Sequence, residues 1–172
     1  MRKHNGMRPQ DIAILLKLIA IKEDQLGLFY LANSLSISTS EISESLNRSH
    51  YAGLLDDRRK VKRQNLMDFL QYGISYVFPQ HPGTMVRGIA TAHSHPYIKN
   101  QLLSNENYVW ADINGDTIGL AIEPLYKNQI EAVKQDVVFY KLLALVDVLR
   151  VGRNREKTIA IKHLKEIMDE PS

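Results

Sequence analysis

The stretch that most constrains the fold lies late in the chain. Asp136 to Gly152 reads DVVFYKLLALVDVLRVG, and wound as a helix it is apolar on nearly every side, relieved only by Lys141, Asp147 and Arg150. Such a helix cannot lie on a surface and has to be enclosed. The helical spacing reaches back to Gln129, so one long helix from Gln129 to Val151 is expected. Its cover has to come from the last helix, which carries Ala160, Ile161, Leu164, Ile167 and Met168 on one face, from the apolar residues around Trp110, and from a second copy of the chain. A homodimer is therefore expected. Asp147 and Arg150, three apart, are expected to satisfy each other.

The segment Tyr108 to Ile122 holds Asn114-Gly115 between two apolar runs, the strongest short-range signal for a β-hairpin. Pairing outward from that turn sets Ala111 opposite Ile118, Val109 opposite Leu120, and Trp110 over Gly119. Asp112, Asn114, Asp116 and Glu123 also fall at the spacing of an EF-hand loop, but Thr117 stands where that loop needs glycine, and the flanks are strand-like. The hairpin is the better reading.

The first third is built differently. Pro9 opens a helix with Ile12, Leu15, Leu16 and Ile19 on one face, running to about Glu23. Gly27 precedes a short helix that aligns Leu28, Leu31, Ala32 and Leu35. Ser36, Ile37 and Ser38 break the period, and Ser38, Thr39 or Ser40 can cap a third helix with Ile42 and Leu46 inward. Ser43, Glu44, Asn47 and Arg48 are left on the outside. A small residue at a helix crossing, an apolar plug in the turn and an outer face of short polar side chains are what a helix-turn-helix requires of a reading helix in a major groove. Ser38, Thr39 and Ser40 then address phosphates, and Ser43, Glu44, Asn47 and Arg48 address base edges.

Charge agrees with this division. Eleven Lys and Arg stand against seven Asp and Glu in Met1 to Asn65, and eleven against twelve in Leu66 to Ser172, so the basic excess is N-terminal. It clusters at Arg58, Arg59, Lys60, Lys62 and Arg63, with Arg2, Lys3 and Arg8 at the start. The Ala52-Gly53-Leu54-Leu55 exit followed by this basic loop resembles the winged helix-turn-helix family of bacterial regulators, with a MarR-like N-terminal domain. The resemblance covers Met7 to Arg63 and implies a wing laid on the DNA backbone. Asp56 and Asp57 are the loop's only turn formers, and its flanks are short.

Beyond Asn65, Leu66, Phe69, Leu70, Ile74 and Val77 suggest a fourth helix ended by Pro79. His93-Ser94-His95-Pro96 resembles the zinc-binding segment of the JAMM metalloproteases, which implies His93 and His95 as metal ligands. That family also places a serine and, three residues on, an aspartate ligand downstream, and a glutamate base upstream. Here Ser104 is one place off and is followed by Asn107, and no glutamate lies between Glu44 and the histidines. Arg150, Gly152, Arg153, Arg155 and Lys157 form a positive corner between the last two helices, suited to an anionic effector or a partner protein. The C-terminal run is also similar to uncharacterised bacterial proteins with a winged helix in front, some beside toxin-like genes, which implies an antitoxin or repressor of a toxin-antitoxin or defence operon.

With no cysteine, disulfides and thiolate chemistry are excluded. No signal-length or membrane-spanning apolar run is present, and the cytoplasm is the expected compartment. The expected fold is α+β, mostly α: a winged helix-turn-helix over 1–65 and a dimerisation or regulatory domain over 66–172 with a β-hairpin at 108–122. The expected function is sequence-specific binding of double-stranded DNA by a dimeric (auto)repressor, without catalysis, cofactor, metal or membrane. A zinc hydrolase using His93 and His95 and a protein-docking winged helix are the alternatives.

Overall fold

A computed structural model describes residues 5–21 and 27–170. Arg2, Lys3 and the expected end of the first helix near Glu23 lie outside these residues. The chain is α+β and mostly helical, with one small three-stranded sheet. The helices are α1 (Pro9–Ala20), α2 (Leu28–Leu35), α3 (Thr39–Tyr51), α4 (Arg63–Tyr72), α5 (Ile74–Val77), α6 (Gln129–Val133), α7 (Val137–Val151) and α8 (Asn154–Asp169). Strands β1 (Met85–Thr91), β2 (Tyr108–Ala111) and β3 (Thr117–Ala121) lie between α5 and α6, with a 3-10 turn at Ala92–Ser94 after β1. Among the described residues no helix is long and apolar enough to cross a membrane.

The all-round apolar helix is the centre of the molecule. Phe139 and every residue from Leu142 to Arg150 on α7 are buried. Their cover comes from within the chain, where α1, α4, α5, α6, α8, β1 and the 3-10 turn all pack on α7. The chain itself thus covers Phe139 and Leu142 to Arg150, while Val137 and Val138 at the start of α7 stay exposed. The expected single helix from Gln129 is corrected, because it breaks at Lys134–Asp136. The Asp136 side chain leaves the helical path to accept the Phe139 N–H at 2.9 Å, capping α7, and meets Lys17 Nζ of α1 at 2.6 Å. A side chain that satisfies an open helix end and a nearly buried ammonium together outweighs one continued turn of helix. The fourth helix divides likewise at Gly73 into α4 and α5.

The hairpin expected at 108–122 is not formed. β1 pairs antiparallel with both later strands, Gly88–Thr91 with β2 and Met85–Gly88 with β3. β2 and β3 run parallel, Tyr108 beside Leu120 and Val109 beside Ala121, so the three strands close on themselves. The turn at Asn114-Gly115 exists, with the Gly115 N–H on the Asp112 carbonyl at 2.9 Å and the Asn114 N–H on Asp112 Oδ1 at 3.1 Å. It crosses over β1 instead of reversing beside β2. Two glycines make the crossing possible: a Cβ on Gly88 would overlap the Trp110 carbonyl, and one on Gly115 would overlap the Gly88 carbonyl. Trp110 does not cover Gly119, which faces the Asn107 backbone instead. Its ring is fully buried, and its Nε1–H donates to Asp147 at 2.7 Å.

Asp147 fastens this strand unit to α7. Besides Trp110 it accepts from Thr91 Oγ1 at 2.8 Å and from Arg150 NH1 at 2.9 Å, and Arg150 also donates to the Phe78 and Glu123 carbonyls. Burial pushes the Asp147 carboxyl up, against the pull of Arg150, Thr91 and Trp110. The expected pairing of Asp147 with Arg150 is thus observed, as part of a larger buried network. One continuous cluster of buried apolar side chains runs from Ile12 to Met168.

Candidate nucleic-acid interface

Helices α2 and α3 meet across a turn of three residues, Ser36 to Ser38. Ser36 takes the left-handed conformation at φ 53°, and the Ile37 N–H returns to the Ala32 carbonyl at 3.0 Å, so the Ile37 side chain packs against the core. Ala32, Leu35, Ile42 and Leu46 are buried, and α3 lies against both α1 and α2. Ser38 caps α3, its Oγ accepting the Glu41 N–H at 3.2 Å. The hydroxyl hydrogen remains available as a donor. Thr39 and Ser40 follow, exposed, in the first turn, where backbone N–H groups lack helical partners and the helix dipole favours an anion.

Down the outer side of α3, Ser40 and Asn47 are exposed and Ser43 and Glu44 half-buried, Glu44 being held in a contact of its own. His50 and Tyr51 continue the same face, Tyr51 with 75% of its surface open. Neither was among the expected contacts, although Tyr51 stands four residues after Asn47 and the helical period alone marks it.

Arg48 departs from the expected set. It is 8% exposed and turned inward: Nε and NH2 hold Asp11 of α1 at 2.9 and 2.7 Å, and NH2 also reaches Glu41 at 2.8 Å. Asp11 raises the guanidinium further above its ordinary range. The cause is Asp11 itself, a fully buried carboxylate that must have a cation. Arg48 therefore ties α3 to α1 and is buried instead of lying on the outer face where the sequence reading puts it.

A helix-ending motif aims the basic loop. The Leu54 N–H bonds to the Ser49 carbonyl and the Gly53 N–H to the His50 carbonyl, with Gly53 at φ 78°, where glycine is favoured. The chain then forms one β-bridge, Leu55 with Val61. The Asp56 carboxylate closes the intervening turn by accepting the Lys60 and Arg58 N–H groups at 2.9 and 2.8 Å, which hold it below its ordinary value. Arg58, Arg59, Lys60 and Lys62 are exposed on this turn, and Asp57 meets His50 of α3 at 3.0 Å. Arg63 is turned away, its NH1 donating to the Met168 and Glu170 carbonyls at 2.8 and 3.0 Å. It caps the open C-terminal end of α8. The sequence expectation places Arg63 among the phosphate contacts, whereas here its NH1 is committed to α8.

The two candidate zinc ligands are buried and each is engaged. His93 Nε2 meets the Glu106 carbonyl at 2.7 Å, and its ring lies 4.3 Å from that of Tyr108. His95 Nδ1 accepts the Tyr97 N–H at 3.1 Å, its ring stands edge-on to Tyr140, and burial pushes its pKa down to about 4. Among the described residues no three His, Cys, Asp or Glu side chains converge as a metal set. Asp112 of the EF-hand-like spacing is paired with Lys134 at 3.1 Å.

No family model, curated protein or solved structure matches this chain.

Proposed function

We propose that the protein binds duplex DNA sequence-specifically and regulates transcription, with α2 and α3 as a helix-turn-helix and the turn at 55–61 as a shortened wing. One observation carries the reading: on the outer side of α3 Ser40 and Asn47 are exposed, with Ser43 and Glu44 half-buried between them, and an exposed turn bearing Arg58, Arg59, Lys60 and Lys62 follows the helix. In this reading Ser38, Thr39 and Ser40 bind phosphate at the helix N-terminus, Ser43, Glu44 and Asn47 face base edges, and the turn lies on the backbone. Repression from paired half-sites by a homodimer belongs to the same proposal.

Selection from a random duplex pool followed by anisotropy titration tests it. Enrichment of one site is expected. Each phosphate contact contributes about 0.9 to the salt slope, so Arg58→Glu with Arg59→Glu should flatten the slope by about 1.8 on every sequence. Asn47→Ala should leave the slope unchanged and relax preference at one base step by about 1–3 kcal/mol. No enrichment, together with equal slopes for parent and double variant, would refute the proposal.

A further inference from the structure

On α3, Ser43, Asn47 and Tyr51 follow one another at intervals of four residues, so they form a stripe along one side of the helix with about 6 Å of rise between successive positions. Asn47 and Tyr51 are exposed and Ser43 is half-buried. Among the described residues none of the three side chains has a hydrogen-bond or ion-pair partner. Their polar neighbours do. Glu41 accepts from Gln10 and Arg48, Asp11 holds Arg48 as well, His50 meets Asp57, and Glu44 has a contact of its own. Beyond its first turn, what α3 offers without breaking a contact is therefore a carboxamide, a phenol and a hydroxyl.

Those groups do not suit all bases equally. In the major groove guanine shows two acceptors, N7 and O6, and calls for the paired donors of an arginine or lysine. Arg48 is the only such residue on α3, and it is buried against Asp11. Adenine shows an acceptor, N7, beside a donor, the N6 amino group, and a carboxamide matches both at once: Nδ2–H donates to N7 and Oδ1 accepts from N6–H. Thymine shows a methyl group, for which the ring of Tyr51 is an apolar partner. A serine hydroxyl donates or accepts and makes no choice between bases.

We infer that the core of the half-site is made of A·T pairs, with Asn47 reading an adenine through N6 and N7 and Tyr51 covering a thymine methyl about two base pairs nearer the wing. The spacing is the rise of one four-residue step, about 6 Å, set against about 3.4 Å per base pair. The direction follows from the His50–Asp57 contact, which places the Tyr51 end of the stripe beside the basic turn. This inference rests on the DNA-binding reading and adds to it the bases that are recognised.

The test uses the full chain and the duplex enriched from a random pool, titrated by anisotropy with single base analogues. Replacing the core adenine by 7-deaza-adenine removes N7, and replacing the core thymine by uracil removes only the methyl; each should weaken binding of the parent at least about fivefold. In Asn47→Ala the deaza substitution should lose its effect while the uracil substitution keeps it, and in Tyr51→Ala the reverse. Asn47→Arg supplies paired donors and should move the preference at that position from adenine to guanine. A site enriched with guanine at its core, or analogue effects that are absent in the parent or unchanged in the variants, overturns the base assignment and leaves DNA binding standing. A pool that yields no enriched site removes the DNA-binding reading and this inference together.

Discussion

His95 makes acid stability a direct reading of the packing at the end of β1. Its ring is 5% exposed, stands edge-on to Tyr140 and lies near the Lys141 charge, and its folded pKa of about 4 compares with 6.5 in the open chain. A histidine that resists protonation only when folded makes unfolding take up a proton. Its contribution is therefore complete above pH 6.5 and is lost as the pH falls from there toward 4. Between pH 7 and 4.5 the two pKa values correspond to a loss of about 2 kcal/mol. Three carboxyls lie outside this window or act oppositely. The Asp56 and Asp112 carboxyls are held low by backbone N–H groups and destabilise only below their ordinary value of 3.8, while the raised Asp147 carboxyl favours the folded state as pH falls. The clean quantity is therefore a difference between proteins. Urea unfolding at pH 7, 5.5 and 4.5 should show the parent losing about 2 kcal/mol more than His95→Phe, which keeps a ring against Tyr140, or His95→Asn, which keeps an acceptor for the Tyr97 N–H. Parallel pH profiles for the parent and both variants would show that the imidazole is hydrated when folded, and the packing argument would fail.

Two further substitutions separate fold from recognition. Arg48→Ala strands the buried Asp11 carboxylate and should cost about 3–5 kcal/mol in urea unfolding, whereas a loss of base preference without a loss of stability would return Arg48 to the reading face. Gly88→Ala drives a Cβ into the Trp110 carbonyl and should cost more than about 2 kcal/mol and shift the emission of the only tryptophan, while Gly83→Ala, with 3.5 Å of clearance, should stay within about 0.5 kcal/mol; equal stabilities would refute the crossing at Gly88.

What the sequence reveals depends on how local the cause is. The three N-terminal helices, the Ser38 cap and the inward residues Ile42 and Leu46 follow from period and capping chemistry within a few residues of each position. The enclosure of α7 is legible for the same reason, and so is the part of its cover that comes from α8, but partners distant in sequence such as α1, whose Lys17 meets Asp136, leave no local trace. The strand unit misleads most. Asn114-Gly115 carries a true turn signal, and nothing in its neighbourhood shows that β1, a strand with weak alternation, stands between β2 and β3 as partner to both. Arg48 fails similarly: its position on the helix wheel borders the outer face, and only the carboxylate of Asp11, thirty-seven residues earlier, turns it inward.

Within the proposal that the protein binds DNA, that inward turn changes where the attraction would have to come from. With Arg48 neutralised by Asp11 and Glu41, and Glu44 on the outer side, the face of α3 from Ser40 to Tyr51 carries no uncompensated fixed cation. Its neutral hydroxyls and amide can discriminate base edges but supply little of the counterion-release term that dominates affinity. That term falls to Arg58, Arg59, Lys60 and Lys62 on the turn and to the open amides at the start of α3. The turn is held by a single bridge, by the Asp56 carboxylate and by the His50–Asp57 contact, so its cations keep a fixed place relative to α3. In the proposed complex a shortened wing would be no weakness: a few phosphate contacts at a set distance from α3 would fix its register in the groove, and a longer, looser loop with the same charge would bind without fixing it.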